Sequence, residues 1–212
     1  MILGGELLRT YARPPRDILS ALEAAMNRDK TAVRPLALSL VILGTISRLL
    51  PHLPNMTAVG AASLFSGARL RGWQALLVPL VCMLVTDPIL GFLYGFQPFS
   101  LLTPLIYASF LINVWIGRRL RATESPWRIG GGALAGSVQF FLLTNFGVWL
   151  AGGGHSYPHS FAGLVACYAA ALPFFGWTVA GDLGYTGILF GVHAWLARRV
   201  FPGERVAAGD AA

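Results

Sequence analysis

Long apolar runs alternate with short polar connections along the chain, and this pattern predicts helices. Residues 88–117 contain no charged side chain, and between Arg128 and Arg198 the only one is Asp182. Runs of roughly 17–25 mostly apolar residues are typical of helices that span a bilayer. The pattern predicts an all-α integral membrane protein with six transmembrane helices, at 35–50, 55–68, 73–95, 100–117, 129–151 and 177–199.

Composition agrees with this class of protein. The chain is 55% hydrophobic and 12% charged, with a mean hydropathy of +0.62, outside the range of ordinary soluble domains. The predicted organisation is an N-terminal cytoplasmic segment at 1–33, a transmembrane domain at 34–200 and a cytoplasmic tail at 201–212. Within the first segment, "RDILSALEAAMNR" is compatible with an amphipathic surface helix or with an unstructured tail.

The distribution of basic residues predicts the topology. With six spans and the N-terminus inside, every Lys and Arg except Arg48 falls on the inner side, as expected for cytoplasmic segments. The net charge of +7 is then explained by topology and anionic lipid, without nucleic acid. A crossing by the apolar segment 161–174 would move the last three arginines outside, so we expect a short re-entrant or interfacial helix there, on the outer side. The predicted location is the bacterial inner (plasma) membrane, with both termini cytoplasmic.

Four predicted helices carry a polar or charged group at nearly the same depth. Counted from the inner arginines at ~1.5 Å per residue, all four lie ~21–26 Å up, in the outer third of the hydrocarbon core. An intramembrane charge costs at least ~2.5–3.5 kcal/mol, so such groups face the bundle interior and pair or bind something. One alternative is that Arg48 only pairs with an aspartate as a structural contact. The other is a substrate pocket open to the outside, formed by Arg48, Asp87, Asn145 and Asp182.

The predicted outer connections supply further polar and aromatic groups above this layer. Such groups over a half-buried cavity suit capture of a water-soluble organic molecule. No nucleophile, nucleotide-binding or metal-site spacing is present, so we expect neither an enzyme nor a cofactor. The additional candidate binding residues are His52, Asn55, Tyr94, Trp149, His155 and Tyr168.

Several stretches resemble known membrane proteins. Six short helices with polar residues near the outer connections resemble the S components, the substrate-binding subunits, of energy-coupling-factor vitamin transporters. More specifically, the chain is similar to an uncharacterised family described as transport proteins. This similarity covers about residues 36–199 and rests on "RLLPHLPNMTAVGAASLFSGARL", "TDPILGF", "SFLINVWIGRRL", "FLLTNFGVWL" and "CYAAALPFFGWTVAGDLGYTGILFG".

The resemblance implies an S-component-like bundle that binds a vitamin or its precursor from outside. Cobalamin or another corrinoid is the first substrate suggested, with Cys82 a weak candidate for a cobalt ligand. A transmembrane coupling protein with ATPases is a possible partner. Most S components dock that protein through an Ala-x-x-x-Ala patch on helix 1, which this chain lacks. Small residues at four-residue spacing occur instead on helix 2, at Ala58, Ala62 and Ser66.

Two other functions stay open at the level of sequence. One is a proton-coupled secondary transporter with Asp87 or Asp182 as the relay. The other is a membrane enzyme that uses His52 with Asp87 on a lipid-like substrate.

Overall fold

The structure is a computed structural model, and it describes residues 34–50, 56–95, 97–121, 123–152 and 157–205. The predicted surface helix near the N-terminus lies outside the described residues, as does most of the predicted C-terminal tail. Within the described residues the chain is all-helical and contains no strand. The prediction of an all-α fold is therefore confirmed.

The described part of the chain forms six α-helices joined by short connections, close to the six predicted runs. Two short 3₁₀ turns, Ser47–Leu49 and Pro202–Glu204, follow the first and last helices. The helices are α1 (Pro35–Ile46), α2 (Val59–Arg69), α3 (Gln74–Tyr94), α4 (Thr103–Arg118), α5 (Pro126–Ala151) and α6 (Phe161–Arg199).

Three of these helices, α3, α5 and α6, are long and apolar enough to cross a membrane. Helix α1 is apolar but shorter, and α2, with 11 residues, would rise only ~16 Å. That is about half of a hydrocarbon core of ~30 Å. The six predicted helices exist, but only three of them meet the length requirement for a span.

Helix α2 is the centre of the bundle. All of its residues are buried, and it contacts each of the other five helices. A side chain at Gly67 would collide with the carbonyl of Val114 on α4, and one at Gly117 would collide with the carbonyl of Leu64 on α2. Glycine at both positions therefore lets the two backbones come into contact, as small residues do between membrane helices.

The course of α6 differs from the prediction for residues 161–174. Residues 161–174 do not form a separate outer helix, because they are the first part of a continuous helix, Phe161–Arg199. Pro173 lies inside this helix without ending it. A 39-residue helix is ~58 Å long, well beyond a ~30 Å hydrocarbon core. One continuous helix replaces the predicted outer helix at 161–174 and the predicted span at 177–199. The number of membrane crossings predicted from the arginine distribution is therefore unchanged.

The 3₁₀ turn Pro202–Glu204 packs against the start of α1. Glu204 is buried, and its two carboxylate oxygens accept hydrogen bonds from the backbone N–H groups of Leu36 (2.8 Å) and Ala37 (3.0 Å). These are among the first N–H groups of α1, which have no partner within their own helix. Beside them, burial lowers the pKa of Arg34, although the charge of Glu204 acts in the opposite direction. Glu204 thus fixes the 3₁₀ turn after α6 to the start of α1.

Candidate functional site

A cavity of about 420 Å³ lies between the helices, and we call it the polar cavity. Residues from α2 to α6, the turn after α1 and the α3–α4 connection line it. This volume falls within the roughly 300–1,000 Å³ typical of small-molecule sites. Its charged and polar lining residues are Arg48, Thr57, Asp87, Gln97, Ser100, Thr103, Tyr107, Asn113, Thr178 and Asp182.

One wall of the polar cavity is built on Asp87 of α3. Arg48, in the 3₁₀ turn after α1, donates from Nη1 to Asp87 Oδ1 at 2.6 Å. The hydroxyl of Tyr107 on α4 donates to the other carboxylate oxygen, also at 2.6 Å. The side chains of Arg48 and Asp87 are only 18% and 11% exposed. A charged pair with so little water must satisfy its remaining donors and acceptors within the protein, and Tyr107 meets part of that requirement.

A second part of the lining is built on Asp182 of α6, which is buried. Its Oδ2 accepts a hydrogen bond from the Ser137 hydroxyl at 2.7 Å, and the backbone N–H of Ala61 also bonds to it. Ala61 belongs to the first turn of α2, where no side chain of α2 itself acts as a cap. Asp182 therefore caps α2 from another helix, and the positive end of the α2 dipole stabilises its charge.

A third polar group of the cavity is held by neighbours on α5. Asn113 Oδ1 accepts a hydrogen bond from Gln139 Nε2 at 2.9 Å. Gln139 Nε2 also donates to the Ser109 carbonyl at 3.0 Å. These bonds orient the Asn113 amide so that its oxygen is occupied. Asn113 is also nearly inaccessible to solvent.

The structure brings Arg48, Asp87 and Asp182 to one cavity but places Asn145 elsewhere. Asn145 lines a second cavity of about 250 Å³, which we call the apolar cavity, and its Nδ2 donates to the Phe141 carbonyl of its own helix at 2.8 Å. Sequence spacing predicts depth, but only the rotation of α5 about its axis decides which cavity a side chain faces. The described residues that line the apolar cavity are Leu102, Leu105, Ile106, Phe140, Phe141, Thr144, Asn145, Val148, Ala171, Phe174, Phe175 and Thr178.

Three other predicted binding residues lie away from both cavities. Tyr94 ends α3 and is 62% exposed. Trp149 Nε1 donates to the Pro158 carbonyl at 2.9 Å, and the Tyr168 hydroxyl donates to the Leu142 carbonyl at 2.7 Å. Trp149 thus holds the connection before α6, and Tyr168 holds the first part of α6, against α5. His52, Asn55 and His155 lie outside the described residues.

Cys82, the candidate cobalt ligand, does not line the polar cavity. Among the described residues, no group of three or more His, Cys, Asp or Glu side chains is arranged to hold a metal ion. The enzyme hypothesis depends on His52, which the structure does not describe.

Sequence reasoning missed Tyr107, Ser137 and Asn113. None of them is charged, and each lies within an apolar run, so depth counting, which considered Arg48, Asp87, Asn145 and Asp182, did not include them. Their position was nevertheless a signal, because a polar side chain within an apolar helix requires a hydrogen-bond partner once it is buried.

Comparison with known proteins places the chain in a family without giving it a function. Residues 29–206 match the model of a family described as "Family of unknown function (DUF6580)". No curated protein and no solved structure matches the chain. Since the match covers most of the sequence, the chain belongs to this family of unknown function, DUF6580.

Proposed function

We propose that this protein binds a small water-soluble organic molecule in the polar cavity and moves it inward across the bacterial inner (plasma) membrane. The observation that carries the proposal is one cavity bounded by the Arg48–Asp87 pair and by Asp182, inside a bundle with three membrane-length helices. Charged groups are costly at this depth, and their usual use in membrane proteins is to form a substrate or ion pathway.

The α3–α4 connection supports an outward-facing entrance. Gln97, Pro98 and Ser100 of this connection line the polar cavity. The distribution of Lys and Arg predicts that the same connection faces outward. Substrate would then enter past residues 97–100 and meet Arg48, Asp87 and Tyr107 first.

The volume of the polar cavity limits the size of the substrate. About 420 Å³ lies near the lower end of the range for small-molecule sites. A corrinoid is a macrocycle with long side arms and needs more room. The cavity volume favours a smaller molecule, of the size of a simple vitamin, an amine or a precursor.

A shared coupling protein with ATPases is part of the S-component hypothesis, and α2 bears on where it would dock. Ala58, Ala62 and Ser66 are buried inside the bundle, where a Cβ at Gly44 of α1 would lie 3.5 Å from that of Ala62. These small residues therefore serve internal packing and offer no docking surface. Transport without a coupling module, or coupling through another surface, is the form of the proposal that fits this packing.

Native mass spectrometry of protein purified in mild detergent tests the binding step. We expect a co-purifying organic molecule with wild-type protein, and its loss in Tyr107→Phe and Asp182→Asn. Glu124→Gln, at an exposed ion pair with Arg198 away from the cavity, is the matched control and should retain the molecule. Equal occupancy in all variants would place the binding site elsewhere.

Proton-coupled transport is a second candidate, favoured by the environment of Asp182. Asp87 is held by Arg48 and Tyr107, whereas no Arg, Lys or His of the described residues forms an ion pair with Asp182. Asp182 is therefore the better relay of the two. Uptake of the co-purifying molecule by cells should then collapse with a protonophore. Uptake that ignores the protonophore in wild-type cells would exclude this coupling.

A further inference from the structure

The apolar cavity is a distinct environment beside the polar one. Four phenylalanines line it, and none of its described lining residues is charged. Its polar side chains bond to their own helices: Thr144 Oγ1 donates to the Phe140 carbonyl at 2.7 Å, and Thr178 Oγ1 donates to the Phe174 carbonyl at 3.2 Å. Together with the internal bond of Asn145, these contacts leave an essentially apolar and aromatic surface. Such a surface suits a ring or an alkyl group.

The two cavities are neighbours with a common wall. Ile106, Phe140 and Thr178 line both of them. These three side chains are therefore part of the wall between the two spaces. A single ligand that displaces the side chain of Ile106 or Phe140 can place one end in each cavity.

The charges around the polar cavity indicate which end would enter it. Its described lining residues include one guanidinium and two carboxylates, and the guanidinium is bonded to Asp87 at 2.6 Å. The formal surplus is one negative charge, centred on Asp182. This surplus negative charge would repel an anionic group and attract a cationic one.

Aromatic rings add to the preference for a cation. Phe110 and Phe140 line the polar cavity with ring centroids 5.2 Å apart, and Tyr107 lines it as well. The faces of such rings attract ammonium groups, most strongly where water is excluded. The lining thus combines a carboxylate with aromatic rings, as sites for organic ammonium ions do.

We propose that the polar and apolar cavities together bind one amphipathic organic cation, with its cationic group beside Asp182 and its aromatic or alkyl part in the apolar cavity. This inference rests on the proposed function and names its substrate class. Phenethylamine and tryptamine are suitable probes, and methylamine is the probe without an apolar part. Phenylethanol and phenylacetate are the neutral and anionic counterparts.

Binding of these probes to the purified protein, measured by calorimetry, tests the two halves separately. We expect both arylalkylamines to bind and phenylacetate not to. Asp182→Asn should weaken arylalkylamine binding by roughly tenfold or more. Ala171→Leu fills the apolar cavity and should weaken it similarly while leaving methylamine binding unchanged. Ala170→Leu, the adjacent exposed position, is the matched control and should bind like wild type.

The contrary outcomes separate this inference from the proposed function. If Ala171→Leu binds arylalkylamines like wild type while Asp182→Asn does not, the apolar cavity is not a subsite, although the polar cavity binds substrate. If a neutral or anionic molecule binds in a Tyr107-dependent way and no amine does, the cation assignment is wrong and the proposed function stands. If no probe binds and no molecule co-purifies, both fail.

Discussion

The α-carbon of Gly60, in the first turn of α2, lies directly against the carboxylate of Asp182 on α6. A side chain at Gly60 would overlap the Asp182 Oδ1 atom. The carboxylate has little freedom to move away, because Ser137 and the N–H of Ala61 hold it. Glycine at position 60 is thus a requirement of the capping contact between α6 and α2.

Gly60→Ala tests this contact. Overpacking of a buried site costs about 1–3 kcal/mol, so we expect a lower melting temperature in detergent. Gly184→Ala on α6 is the control, since nothing lies within 4 Å of a Cβ at that position. It should be neutral or stabilising by up to about 1 kcal/mol, because alanine is favoured over glycine in helices. Equal melting temperatures for the two variants would mean that Asp182 does not occupy this position.

Replacement of the Arg48–Asp87 pair separates a structural role from a binding role. Asp87→Leu leaves the Arg48 charge without its carboxylate, and breaking such a pair costs about 3–5 kcal/mol when it is buried. We expect a value near the lower end, since Arg48 is 18% exposed. The double variant Arg48→Met/Asp87→Leu removes both charges and should recover most of the stability.

Ligand retention in the double variant then decides between the two roles. If the Arg48–Asp87 pair only holds helices together, the folded double variant should keep its co-purifying molecule. If the pair contacts substrate, as proposed, the variant should melt near the wild-type temperature and be empty. The measurements are thermal unfolding and native mass spectrometry on the same preparation.

Glu204 should contribute more to stability than its position near the C-terminus suggests. Glu204→Ala would leave the buried N–H groups of Leu36 and Ala37 without acceptors, at about 1–3 kcal/mol for each group. Glu124→Ala removes a carboxylate of the same type from an exposed ion pair with Arg198, typically worth about 0–1 kcal/mol. A thermal unfolding curve for each variant checks this order. A Glu204 variant as stable as the Glu124 variant would contradict the capping role.

The continuity of α6 is measurable as a distance. Spin labels on Phe161→Cys and Arg199→Cys, in a background lacking Cys82 and Cys167, should lie ~57 Å apart if 38 helical steps separate them. A re-entrant segment at 161–174 that returns to the outer surface would give a much shorter distance. Pulsed electron spin resonance on protein in lipid nanodiscs distinguishes the two.

The local pattern of apolar residues, prolines and glycines was sufficient to predict most helix positions. The predicted runs 73–95 and 100–117 correspond to Gln74–Tyr94 and Thr103–Arg118. Hydropathy and helix termination depend on neighbours along the chain, so they can be read without tertiary structure. Depth counting likewise predicted that Arg48, Asp87 and Asp182 lie near one another, because the rise per residue of a helix is constant, and they line one cavity.

Tertiary structure decided which of these groups meet. Arg48 pairs with Asp87 and not with Asp182, and Asn145, at nearly the same predicted depth, faces another cavity. The rotation of each helix about its axis sets these relations, and it follows from packing against partners distant in sequence. The same is true of the burial of α2 and the capping of α1 by Glu204, 167 or more residues away. The sequence by itself determined the helices and the distribution of polar residues along them, whereas packing between helices determined which polar groups meet.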